Sequence, residues 1–130
     1  ICEAILEVQP DAVLLALAGS KWVKTAIDLG MKVGREVFAD RAVNSDGTLV
    51  SRSEPGAVIH STAEVVERSL RMVKDGKILS VDGTYVEVEA DSICLHGDTP
   101  GAVDMAQQLR SAFTSEGISV VPLSEIVGTG

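Results

Sequence analysis

Val13-Leu14-Leu15-Ala16-Leu17 reads as a buried β-strand, and the residues after it decide the fold. Gly19 stops the strand, Ser20 is placed to cap a helix carrying Trp22, Val23, Ala26 and Ile27, and Gly30 ends that helix. Lys32 to Phe38 is a second strand, with Val33 and Val37 four residues apart and Arg35 between them. Strand, helix, strand in succession predicts an α/β fold with a parallel sheet, open or closed into a barrel.

Working outward, Ile1 to Val8 has the apolar periodicity of the end of a helix. The sequence lacks an initiator Met and starts inside an element, so it is expected to be a fragment of a longer chain. Ala39 to Ser61 is a long polar stretch holding Asn44-Ser45-Asp46-Gly47 and Glu54-Pro55-Gly56, and irregular segments of that length are usually functional. Ser61-Thr62-Ala63-Glu64 has the form of a capping box, with Val66, Leu70 and Val73 at helical spacing and Gly76 placed to end the helix. Asp82-Gly83 predicts a two-residue type I′ hairpin that pairs Val81 with Thr84 and Leu79 with Val86, all four on one face.

Ser92 to His96 is a third strand. Thr99 or Asp98 is expected to cap the next helix, with Pro100 at its first position and Ala102, Ala106, Leu109 and Phe113 facing the core. Gly117 ends that helix, and Ile118 to Leu123 is expected as a fourth strand.

Composition narrows the classes. The chain has 130 residues, 45% of them hydrophobic, with 12 glycines and 4 prolines, which excludes disordered and collagen-like chains. Residues 1–130 are expected to be one domain, and no apolar run reaches the roughly 20 residues of a membrane helix. Two cysteines, Cys2 and Cys94, without a secretory signal predict reduced thiols and a cytoplasmic location. A net charge of −8 argues against nucleic acid or an anionic membrane as partner. Ten of the eleven Lys and Arg lie between residues 21 and 77, beside eight acids. That unevenness reads either as two differently solvated faces or as a local cationic site for a small anion.

Functional groups of parallel α/β folds gather at the carboxyl ends of strands, and two such ends are crowded. One is Ala39-Asp40-Arg41, with Glu36 just upstream, and the other is His96-Gly97-Asp98. Imidazole exchanges protons near neutral pH, and glycine admits a ligand close to the backbone. Arg52, between two serines, has the fork geometry for a carboxylate or phosphate. A competing reading makes Asp98 a helix cap, and Asp40 the partner of Arg41 or Arg52 in an ordinary salt bridge. No zinc spacing, Walker-type loop, GxGxxG or nucleophile elbow is present, so no metal ligand is assigned.

At these residues the sequence resembles a known family. Arg35-Glu36-Val37-Phe38-Ala39-Asp40-Arg41, Asp46-Gly47-Thr48-Leu49-Val50, Ser51-Arg52, Pro55-Gly56-Ala57-Val58-Ile59 and Cys94-Leu95-His96-Gly97-Asp98 are similar, in order, to the LamB/YcsF family of 5-oxoprolinase A subunits. The resemblance covers about residues 10–122 and only the family's C-terminal half. The family's Asp-Leu-Gly-Glu, His-Ala-Gly-Asp, Gly-Ala-His-Pro and Lys-Pro-His-Gly segments are missing.

The resemblance implies the C-terminal part of a seven-stranded TIM-like β/α barrel. It also implies ATP-dependent opening of 5-oxoproline to L-glutamate, with ATP and magnesium as cofactors and subunits B and C as partners. Within that frame His96, Asp98 and Glu36 are the catalytic candidates, and Asp40, Arg41 and Arg52 the candidates for binding substrate or phosphate. The chain alone is expected to be inactive and prone to self-association. A non-catalytic anion-binding or assembly module on the same scaffold is the alternative.

Overall fold

The computed structural model describes residues 1–127. Along the chain run α1 (Cys2–Val8), β1 (Val13–Leu17), α2 (Lys21–Asp28), β2 (Lys32–Phe38), α3 (Thr62–Asp75), β3 (Lys77–Leu79), β4 (Tyr85–Glu87), β5 (Ser92–Cys94), α4 (Ala102–Ser115) and α5 (Leu123–Val127). One sheet has the strand order β1-β2-β5, and β3 and β4 form a separate hairpin. β1 and β2 pair in parallel with Val13 opposite Lys32 and Leu17 opposite Glu36, so the expected α/β architecture with parallel strands is present.

The chain divides into two compact units. Of the described residues, the first holds 1–37, 89–92 and 121–127. Its helix α2 begins where the Ser20 hydroxyl accepts the Val23 N–H at 3.3 Å. Cys2, Ala26 and Met31 form its core, with Ile5, Leu6, Leu14 and Val33 packed against them. Gly34 sits in mid-strand where a Cβ would come 3.0 Å from the Leu15 and Leu123 side-chain methyls, so a larger residue would make both leucines shift. In this unit Arg35 grips Asp91 through its backbone N–H (2.9 Å), Nε (2.7 Å) and Nη2 (2.9 Å), and Nη1 also reaches Glu89.

The second unit, residues 38–88 and 93–120, is built on α3 and α4. The Ser61 hydroxyl caps α3 by accepting the Glu64 N–H, and Gly76 closes it in the left-handed conformation. The fully buried face of α3 is Val65, Arg68, Ser69 and Met72; of the expected stripe, Val66 and Leu70 are partly buried and pack against the core, while Val73 is 41% exposed. α4 buries Ala102, Met105, Leu109 and Phe113, with Met105 in place of the expected Ala106. Ala39, Val65, Met105, Leu109 and Phe113 form one core, on which Ile59, Ile93, Leu95 and Ile118 pack.

Four local expectations are corrected. The hairpin register is Ile78 opposite Val86 and Leu79 opposite Tyr85, which displaces the expected pairs by one residue. A type I′ turn needs two positive φ values, but Asp82 has none and only Gly83 does (φ 85°). The Ser80 hydroxyl and the Asp82 carboxylate both accept the Thr84 N–H and hold the longer loop. Ile78 is therefore buried while Leu79 and Val81 are exposed.

The second correction is at α4, which starts at Ala102 rather than Pro100. Gly101 has φ 83° and ψ 5°, and the Ala102 N–H bonds the Thr99 carbonyl. Pro100-Gly101 is thus the centre of a type II turn, and neither Asp98 nor Thr99 caps the helix through its side chain. Third, β5 stops at Cys94, because the backbone N–H of His96 is taken by a side chain instead of a strand. Last, residues 118–122 form no strand. Pro122 has no N–H to give a ladder, and its carbonyl instead accepts the Glu125 N–H as α5 begins.

Candidate functional site

The C-terminal ends of β2 and β5 lie side by side in the second unit, tied by Ala39 N–H to the Cys94 carbonyl at 2.8 Å. Ala39 is fully buried in the core, and Asp40 follows it into the interior; the Asp40 side chain is only 3% exposed. Its carboxylate meets His96 from 56 residues away: Oδ2 accepts the backbone N–H at 3.3 Å, while Nδ1 lies 2.8 Å from Oδ1 and 3.1 Å from Oδ2. A carboxylate that already accepts a backbone N–H is an acceptor for the ring as well, which puts a proton on Nδ1; in the neutral ring Nε2 then carries a free lone pair.

The Phe38 ring stacks on the imidazole at 5.4 Å between centroids and 4° between planes, which fixes its rotation. The imidazole keeps 24% of its surface exposed. A histidine oriented by a buried carboxylate and partly exposed to solvent can take a proton from water or give one to a leaving group.

The remaining candidates are placed differently. Arg41 is 7% exposed, and its Nη2 donates to the Val50 carbonyl at 2.7 Å. Its Nε has no hydrogen-bond partner, and the Ala42–Val50–Ala57 cluster forms beside it in sequence. Its guanidinium therefore braces the polar loop. Arg52 faces Asp98 at 3.6 Å with 53% and 72% of their side chains exposed, an open pair whose members are free to exchange partners. Glu36 is half-buried on β2 in the first unit, with its carbonyl accepting the Ala18 N–H. The structure thus joins Asp40 to His96 and Arg52 to Asp98. Asp40 pairs with neither Arg41 nor Arg52 but with the histidine.

Arg68 is a residue the sequence reading missed. It is 7% exposed on α3 and its Nη1 donates to the carbonyls of Phe38 (2.8 Å) and Ala39 (2.7 Å). Burial lowers the pKa of its guanidinium, and the charges of Glu64 and Asp40 oppose that shift. The available signal was a cation three residues after Val65 and four before Met72, on the helix face that proves to be buried.

Among the described residues no group of three or more His, Cys, Asp or Glu is arranged to hold a metal ion, and no helix is long and apolar enough to cross a membrane.

Comparison with known proteins places these features in context. The LamB/YcsF family model matches residues 1–128. The chain is 46% identical over 127 residues to the 5-oxoprolinase A subunit of Thermococcus sibiricus, covering 98% of this chain and 50% of that protein. It is 48% identical to the 5-oxoprolinase A subunit of Coprothermobacter proteolyticus, covering 98% of this chain and 49% of that one. A crystal structure of a lactam utilization protein from Thermus thermophilus superimposes with a TM-score of 0.83 at 36% identity, over 92% of this chain and 47% of that one. The chain spans about half the length of the curated relatives it matches.

Proposed function

The chain belongs to the LamB/YcsF family, and from that premise we propose that it is the C-terminal half of a 5-oxoprolinase A subunit. In this reading its strands belong to a seven-stranded TIM-like barrel. The complete cytoplasmic enzyme opens 5-oxoproline to L-glutamate with consumption of ATP, together with subunits B and C.

The observation that carries the reading is the His96–Asp40 pair at the ends of two strands. Opening a lactam requires water to attack a resonance-stabilised carbonyl and the ring nitrogen to leave with a proton. His96 removes the proton from water at Nε2 and returns it to that nitrogen, while Asp40 stabilises the imidazolium formed between the two steps. Asp98, exposed beyond His96, is the second candidate for proton transfer. Arg52 is free to leave Asp98 for the substrate carboxylate, a pairing its fork geometry favours. Glu36 is kept as a candidate in the first unit.

ATP with magnesium belongs to this proposal, but the described residues do not build its site. Arg41 is buried with Nη2 on the Val50 carbonyl and Nε unpartnered, Arg52 is exposed beside a carboxylate, and among the described residues no group of three or more His, Cys, Asp or Glu is arranged for a metal. No step is derived through the nucleotide.

The test uses the complete A subunit that carries this chain, assembled with subunits B and C and supplied with 5-oxoproline, ATP and magnesium. His96→Ala is expected to cut glutamate release by roughly 10²- to 10⁴-fold with the thermal midpoint near that of the parent. Unchanged release would remove His96 from the chemistry. Absence of release from the parent assembly would favour an anion-binding or assembly module.

A further inference from the structure

The His96–Asp40 pair depends on the place of one backbone turn. Asp40 follows the last residues of β2, and its own carbonyl accepts the Ile59 N–H at 2.8 Å. Ala39 N–H is held by the Cys94 carbonyl. The carbonyls of Phe38 and Ala39 both point to one atom, Nη1 of Arg68, at 2.8 and 2.7 Å. The ties to Ile59 and Cys94 are backbone to backbone, whereas the Arg68 tie is made by a side chain reaching 29 residues back in sequence.

Burying a guanidinium is costly, and this one is 7% exposed. A packing role at this position is served by an apolar side chain without that cost. What a buried cation adds is a donor strong enough to hold two consecutive carbonyls, together with a positive charge close to the Asp40 carboxylate. Glu64, one turn earlier on α3, is the other acid that acts on this charge.

We infer that Arg68 is a positioning residue for the His96–Asp40 pair: by holding the carbonyls of Phe38 and Ala39 it sets the Asp40 carboxylate against Nδ1 of His96 and keeps Nε2 as the working nitrogen. The inference rests on the reading of His96 as the proton-transfer group, but its test needs no turnover. Failure of the glutamate assay and failure of this inference are therefore separate results.

In the complete A subunit that carries this chain, ¹⁵N-histidine labelling reports each imidazole, with exposed His60, assigned by His60→Gln, as internal reference. The parent subunit should show a hydrogen-bonded Nδ1–H proton from His96 that exchanges slowly with water, and Asp40→Asn should abolish it and so assign it. Arg68→Met is expected to lose this signal or speed its exchange, with amide dispersion retained and His60 unchanged. An unchanged Nδ1–H exchange rate, even with a lower thermal midpoint, would make Arg68 a structural residue only and overturn the inference. Where Arg68→Met does not fold, Arg68→Lys decides: it keeps the charge but loses the planar donor. Faster exchange supports the inference, and an unchanged rate overturns it.

Discussion

His96 and Asp98 stand two residues apart on one loop, yet the pairs they form differ in kind. Asp40 brings a carboxylate that is 3% exposed and binds the ring and backbone of His96 together. Asp98 is 72% exposed and meets Arg52 across 3.6 Å, with water available to both. The second pair joins a guanidinium to a carboxylate, nominally the stronger match. Burial reverses the ranking. A polar group cut off from water loses its whole hydrogen-bond energy when its partner goes, whereas an exposed one is resolvated at once.

The most severe way to break that contrast is Asp40→Asn. The amide keeps the shape but loses the charge and replaces one acceptor oxygen by an NH2 donor that faces the N–H groups of His96. A loss of about 1–3 kcal/mol of stability is expected from urea unfolding of the chain. In the assembled enzyme, turnover should fall on the order of 10²- to 10⁴-fold as His96 loses its fixed tautomer. A parent-like midpoint together with parent-like turnover would reduce the pair to a surface contact.

What the sequence made legible follows from the range of each interaction. β1 and β2 have the expected bounds because the apolar runs, Gly19, the Ser20 cap and Gly30 all act within a few residues. The hairpin slipped by one residue because its loop is settled by the Ser80 and Asp82 side chains bonding Thr84, a preference that Asp-Gly alone does not reveal. On α3, the expected Val66 and Leu70 do pack against the core and only Val73 stays outside; the fully buried line runs through Val65, Ser69 and Met72, with Arg68 beside it reaching the Phe38 and Ala39 carbonyls. The site behaved likewise. His96 and Asp40 are each singled out by the sequence through residue type and their place after an apolar strand. Their union spans 56 residues and leaves no local mark.

The Arg35–Asp91 pair of the first unit sharpens the contrast from an intermediate position, with side-chain exposures of 34% and 9%. Hydrogen bonding from Arg35 holds the Asp91 carboxyl below its ordinary value of 3.8, against the opposing effect of burial. A lowered folded-state pKa adds stability above the unfolded value, and that stability is lost as pH falls through the folded value. Asp91→Asn should therefore weaken the chain at pH 7, while its stability curve approaches that of the parent as pH falls from about 4 through the lowered folded value. Asp82, drawn down to about 2 by the Ser80 hydroxyl and the Thr84 N–H, acts with the same sign. Its contribution fades between roughly pH 4 and 2. Parallel curves for parent and Asp91→Asn down to pH 2 would show that the Arg35 grip does not favour the ionised carboxyl.

The smallest effect is expected at the exposed pair. Had Asp98 capped α4, its removal would cost about 1 kcal/mol. The helix instead starts at Ala102 behind the Pro100-Gly101 turn, without a side-chain cap, so that loss has no source. What remains is attraction across 3.6 Å between two solvated side chains. A double-mutant cycle of Asp98→Ala and Arg52→Ala should give a coupling of at most about 0.5 kcal/mol, falling further with added salt. Any loss of turnover in Asp98→Ala would then be a loss of chemistry or substrate binding, because the fold has almost nothing to lose there. A coupling as large as the Asp40→Asn loss would mean that the loop closes over Asp98 and Arg52 in solution and that the two pairs are equally buried.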